Sequence, residues 1–117
     1  MAPLVALHSV LRAGREADSD AAHAQNPGAL IEAHRRVGIH DWRIWRSGRI
    51  VFHLVECDDF PAAVRGLEHD PANKRWQAFI GDFIDHFEAT QSGELPLPLV
   101  WSMRDQAGNP AEKFQPL

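Results

Sequence analysis

The sequence predicts an α+β fold: one antiparallel four-stranded sheet with helices across one face. Three observations carry this. Short apolar stretches alternate with Ala- and Glu-rich ones in the order strand, helix, strand, strand, helix, strand. The two middle strands are joined by Ser47-Gly48 alone, which makes them a hairpin. The stretch Gly38-Ile39-His40-Asp41-Trp42-Arg43-Ile44-Trp45 passes from a helix end straight into a strand, and the chain is organised around it. That order is the split βαβ pattern of a ferredoxin-like sandwich.

Leu4 to Leu11 is short and apolar, bounded by Pro3 and by Arg12-Ala13-Gly14-Arg15, and reads as the first strand. Its alternation puts Val5, Leu7 and Ser9 on one face and Ala6, His8 and Val10 on the other. Glu16 to Val37 reads as helical, with a kink or restart at Asn26-Pro27-Gly28, because proline removes a backbone donor and clashes with the preceding turn. Its second part carries Leu30, Ile31, His34 and Val37 at helical spacing. Gly38 closes it, glycine being the residue that reaches positive φ without a Cβ clash. Asp41 to Arg46 is the second strand and Arg49 to Cys57 the third. Trp42 and Ile44 share one face of the second strand, Arg43 and Trp45 the other.

Asp58-Asp59 offers an N-cap with Pro61 in the first turn of a short helix to about His69, and Asp70-Pro71 repeats the signal. Trp76, Phe79, Ile80, Phe83, Ile84 and Phe87 then form an apolar stripe at helical offsets, so this helix is expected to run on to Phe87. After a loop at Gln91-Ser92-Gly93, Leu95 to Met103 is expected as the last strand, with Pro96 and Pro98 confining its start to an edge. Residues 104–117 form a polar tail that runs over a neighbour or frays. Both alternating sets of each strand contain large residues, so the second sheet face needs a cover, and two sheets packed face to face as a homodimer supply it.

The 117 residues have the length of one domain, 1–117, with no internal repeat or linker. A net charge of −4 gives no electrostatic case for nucleic acid. No apolar run reaches the roughly 18 residues of a membrane span, and Met1 to Leu11 lacks the basic leader and cleavage site of a signal peptide. The single Cys57 excludes an internal disulfide and fits a reducing, cytoplasmic compartment. Seven His and four Trp with no Tyr are unusual, and suit a pocket for a polar, ring-shaped ligand.

His23, three residues before Asn26, can project into a cavity as a general acid or sit as an ordinary core-edge histidine. Trp42 can stack on the apolar face of a sugar or on an aromatic ring, or pack a dimer core. Trp76 opens the apolar stripe and is either core or a stacking wall, while Gln77 points away from the stripe toward solvent or a pocket mouth. His8 and His53 fall on neighbouring strands, where the two imidazoles can face each other and are expected to contact substrate, and with His23 they offer a weak three-histidine metal set. No tight metal motif accompanies them, and no metal is expected. Asp58 and Asp59 are explained by capping, and Cys57 by burial as a small apolar residue. Asp41 and His40 either serve chemistry or border the pocket.

Three stretches, Gly38 to Trp45, Phe52-His53-Leu54-Val55-Glu56 and Arg75-Trp76-Gln77, resemble the L-rhamnose mutarotase family, and the resemblance extends from the first strand to Trp101. It implies a dimeric α/β barrel of ferredoxin-like subunits acting on a sugar without a cofactor. It places His23, fifteen residues before Gly38, where the family has its catalytic histidine. Trp42 falls on a sugar-contacting Tyr and Trp76 on the first of two adjacent sugar-contacting tryptophans, with Gln77 replacing the second. Ser19, one helical turn before His23, stands where the family carries a substrate-contacting Tyr. The implied activity is interconversion of the pyranose anomers of a 6-deoxy sugar such as L-rhamnose or L-fucose, with His23 as acid–base group and Trp42 and Trp76 as walls. A cyclase or cofactor-free oxygenase for an aromatic polyketide on the same barrel, and a non-catalytic small-ligand-binding dimer, are the competing readings.

Overall fold

The computed structural model describes residues 3–107. In chain order its elements are β1 (Leu4–Leu11), α1 (Glu16–Ala24), α2 (Gly28–Arg36), β2 (Ile39–Ser47), β3 (Ile50–Cys57), α3 (Phe60–Leu67), α4 (Pro71–Ile80), β4 (Ile84–Phe87) and α5 (Met103–Ala107). The strands lie in the order β2-β3-β1-β4, and every pairing is antiparallel. This is the ferredoxin-like arrangement expected from the order of elements.

Local chemistry sets the boundaries. Gly38 has a φ of 88° and Gly48, in the β2–β3 turn, a φ of 59°. The Asp59 carboxylate accepts from Ala62 N–H at the start of α3, and that of Asp70 accepts from Ala72 and Asn73 N–H at the start of α4. Each cap satisfies helix donors that otherwise have no partner, and is worth about 1 kcal/mol.

The core lies between the sheet and the helices. Leu7, Ser9 and Leu11 of β1, with Val51, His53, Val55 and Cys57 of β3, are buried on this face. Leu7, Val55 and Cys57 pack against Ala33 of α2 and Ala63 and Leu67 of α3. Burying a side chain such as Leu11 or Val55 is worth about 1.5–3 kcal/mol. The other sheet face is open. Leu4, Trp45 and Phe52 are exposed there, and Trp45 pairs with Phe52 across the hairpin.

Two expectations are corrected. The helix from Pro71 ends at Ile80, and Ile84–Phe87 is a strand, not its last turns. Ile84 and Phe87, three residues apart, fit a helical stripe and would point to opposite faces of a regular strand, but β1 has a free edge whose backbone groups need partners, and a register shift that pairs Val10 with His86 and Leu11 with Ile84 takes up the odd residue. Phe83 is buried in the connecting turn, where its carbonyl accepts from Arg12 N–H. Second, Leu95 to Met103 forms no strand. Leu97 N–H donates to the Ala6 carbonyl at 2.8 Å, but Pro96 and Pro98 on either side have no donor to extend a ladder. Of the expected polar tail, Arg104 to Ala107 lies in α5, and 108–117 falls outside the described residues. Among the described residues no helix is long and apolar enough to cross a membrane.

Candidate active site

A cavity of about 300 Å³ opens between the helical layer and the sheet. His23, Trp42, His53, Trp76 and Gln77 line it, together with Asn26, Leu30, His34, Arg35, His40 and Asp41. Five side chains that were separate candidates in the sequence are therefore brought to one space.

His23 is held by the geometry of α1. Glu16 and Asp18 occupy the first turn, where carboxylates suit the positive end of the helix, and His23 occupies the last. Pro27 ends the run and α2 restarts at Gly28, so the Pro27 break is a restart rather than a kink. His23 Nδ1 lies 3.0 Å from the Ser19 carbonyl oxygen. A carbonyl only accepts, so Nδ1 carries hydrogen and the exchangeable position is Nε2. The ring stands edge-on to Trp76 at 5.5 Å between centroids. Trp76 is itself packed on Leu30, Ile80 and Phe83. Outside α1, Arg46 donates twice to Asp20, both at 2.7 Å, and ties the helix to the end of β2. These bonds hold the Asp20 carboxyl below the usual range.

Trp42 shares its face with Ile39 because of a bulge. Ile39 pairs with Cys57 but Asp41 with Glu56, so His40 is an extra residue in β2. The bulge shifts the alternation by one, so that Ile39, Trp42 and Ile44 all face the helices. Trp42 Nε1–H donates to His53 Nδ1 at 3.1 Å. Indole is only a donor, so Nδ1 of His53 is the acceptor and Nε2–H donates to Ser9 Oγ at 2.9 Å. Both nitrogens of His53 are thus committed to the protein. Burial pushes its pKa down to about 4, and charge on His23 and His8 acts in the same direction. His53 is a fixed neutral prop for Trp42, with no nitrogen left for substrate.

His8 is a correction. The register pairs Leu7 with His53 and His8 with Phe52, so His8 lies on the open sheet face and His53 on the helical one. The two imidazoles do not face each other, and the three-histidine set is not assembled. Ser19 is buried and does not line the main cavity. It lines a second space of about 380 Å³ that shares His23, Asn26, Trp42 and Ile44 with the first. Gln77 is exposed at the rim. Cys57 is completely buried, and burial pushes its thiol up. Asp41 accepts from Trp42 N–H and from Arg43, and His40 is paired with Asp58, so both border the cavity with these groups engaged.

One lining residue was hidden in the sequence. His34 sits at the Leu30, His34 spacing of α2 and reads there as part of an apolar stripe. In the structure it stacks on Trp42 at 5.5 Å and 20°. A polar ring one turn from a buried Leu was the available signal.

Fold and site together define a class: a ferredoxin-like α+β subunit with an aromatic-walled cavity and a histidine that has one nitrogen without a partner among the described residues, suited to proton transfer on a small polar molecule. The model of the L-rhamnose mutarotase family matches residues 4–103, and the chain belongs to that family, a family of sugar-interconverting isomerases. The L-rhamnose mutarotase of Formosa agariphila superposes with a TM-score of 0.68 at 17% identity, over 86% of this chain and 98% of that one. A NIPSNAP-like domain protein from Burkholderia xenovorans gives 0.51 at 20% identity, over 87% and 96%. A Pseudomonas aeruginosa protein gives 0.51 at 12%, over 75% and 89%. At these identities the structural likeness concerns the fold. No curated protein matches at a significant level.

Proposed function

We propose that the protein interconverts the pyranose anomers of a 6-deoxyhexose, L-rhamnose first and L-fucose second, with His23 as the acid–base group. The observation that carries this is His23 itself, with Nδ1 anchored on the Ser19 carbonyl and its ring against Trp76 in the cavity wall. In the charged form its Nε2–H protonates the ring oxygen while a base removes the proton of the anomeric hydroxyl. The C1 to ring-oxygen bond breaks, its electron pair goes to the ring oxygen, and C1 becomes a carbonyl carbon. Rotation about C1–C2 and closure on the other face give the other anomer and return both protons. The sugar exchanges only protons with the protein and is neither oxidised nor reduced, so the reaction calls for no cofactor. Trp42 and Trp76 are the walls for the sugar's C–H faces, and Gln77 is the rim amide for its hydroxyls. Saturation-transfer NMR on L-rhamnose and L-fucose tests the proposal: acceleration of anomer exchange is expected, and binding without acceleration would leave only a ligand-binding module.

The chain, read as one domain in a cytoplasmic setting, is further proposed to act as a two-fold dimer joined through the open sheet face. Trp45 at 54% exposure and Phe52 at 45% support this, as do Leu99, Val100 and Trp101 on the exposed segment before α5. Sedimentation is expected to give a dimer at micromolar concentration, and Phe52→Lys a monomer. A folded parent monomer under those conditions sinks the idea.

Ser19 carries the substrate question. Its Oγ makes no hydrogen bond among the described residues, and it opens on the space shared by His23 and Trp42. A phenol placed there has room and can reach a sugar hydroxyl. One such bond is worth about 0.5–1.5 kcal/mol, or roughly three- to tenfold. Ser19→Tyr is therefore expected to speed sugar exchange by that factor. No gain with any sugar, together with loss of a bulky aromatic ligand, favours the cyclase or oxygenase reading instead.

A further inference from the structure

Ring opening needs a base as well as an acid, and the cavity holds a second imidazole for the task. We infer that His34 is the catalytic partner of His23, taking the proton of the anomeric hydroxyl while His23 protonates the ring oxygen. The inference rests on the mutarotase reading above and deepens it.

Four observations carry it. His34 lines the same cavity as His23. His23 stands edge-on to the Trp76 indole, and His34 stacks on that of Trp42, whose N–H is bonded to His53. His34's ring nitrogens have no hydrogen-bond partner among the described residues, and neither is sealed from solvent-accessible space. By contrast, His53 is bonded at both nitrogens and His40 is paired with Asp58, so neither competes for the role. Stacking on Trp42 fixes the plane of the His34 ring without using its nitrogens, which is what a base that must meet substrate in one orientation requires.

The electrostatic setting agrees. Burial holds the His34 imidazole below the usual histidine range, and the Asp70 carboxylate at the start of α4 offsets this only in part. Arg36 is bonded to Asp70 and shares its charge. The other charged or titratable groups around this cavity are Arg35, Asp41, His40, His53 and His23. A neutral His34 is a ready base at neutral pH. Protonation as the pH falls removes that base, so the exchange rate should fall on the acid side, below the usual histidine range.

The test compares the parent with His34→Phe and His34→Gln, by saturation-transfer NMR on L-rhamnose from about pH 5 to pH 8, where circular dichroism shows the fold intact. Phe keeps a ring on Trp42 and removes both nitrogens, so it separates stacking from proton transfer. Both variants are expected to lose about 10²-fold in kcat and to lose the acid-side fall in rate. Parent-like kcat and an unchanged pH profile in His34→Phe overturn the role of His34 while leaving the mutarotase reading in place. Absence of acceleration by the parent itself overturns both together.

Discussion

His23→Ala is expected to lower anomer exchange by about 10²–10⁴-fold, the usual contribution of a positioned acid–base group. The fold should survive. Alanine is the best helix former, and α1 stays tied to β2 by the Asp20–Arg46 pair and to the loop before β4 by donation from the Arg15 guanidinium to the Asp82 carbonyl. The lost edge contact with Trp76 is worth about 0.5–1.5 kcal/mol, which is small beside the effect on rate. Because His23 Nδ1 is committed to Ser19, the remaining nitrogen carries all its chemistry, and no second His23 orientation rescues activity without breaking that bond. Exchange rates are read by saturation-transfer NMR and folding by thermal circular dichroism. A variant that exchanges sugar as fast as the parent defeats the assignment, and His53 cannot inherit it, since both its nitrogens are occupied.

The sequence made legible what local chemistry decides. Gly38 and Gly48 needed positive φ, Asp59-Phe60-Pro61 and Asp70-Pro71 are cap signals, and the Trp42, Ile44 alternation follows from the strand itself. The order of elements was enough for the ferredoxin-like sheet. What escaped depends on partners far away in the chain. Ile84 and Phe87 have helical spacing, and only the free edge of β1, with a shift in its pairing register, makes them part of a strand. His8 and His53 lie on adjacent strands, but a pairing shifted by one residue separates their faces, and register is a tertiary property. The β2 bulge is invisible without β3, yet it brings Ile39 onto the same face as Trp42. His34 was hidden because a histidine in an apolar helical stripe looks like core until the cavity beside it is seen. Among the candidates, His23, Trp42, Trp76, His53 and Gln77 meet at one cavity, Ser19 lies in the adjoining one, and His8 lies elsewhere.

The same His53 that cannot act on substrate should make the fold sensitive to acid. In the folded chain its pKa is about 4, against 6.5 for an ordinary histidine. Between those values the unfolded chain takes up a proton that the folded chain refuses. The contribution is complete above about pH 6.5, falls as pH drops through the window, and is gone below about pH 4. Its size is about 3 kcal/mol, a large share of the 5–15 kcal/mol that holds a typical domain together. The structural cause is specific: an imidazolium has no acceptor at Nδ1, so the Trp42 indole N–H would face another N–H inside the core. His53→Gln separates this from the other titrating groups. Its amide oxygen can accept from Trp42 and its NH₂ can donate to Ser9, so the polar pattern is kept without a titrating site. At neutral pH the variant should lose only about 1 kcal/mol. Urea midpoints of parent and variant at a series of pH values give the comparison. The parent is expected to lose stability faster from about pH 6.5 downward, so that the two curves converge or cross before about pH 4. Parallel curves over that range would mean that His53 is not the acid-sensitive group, and that the Trp42 prop tolerates a charged ring.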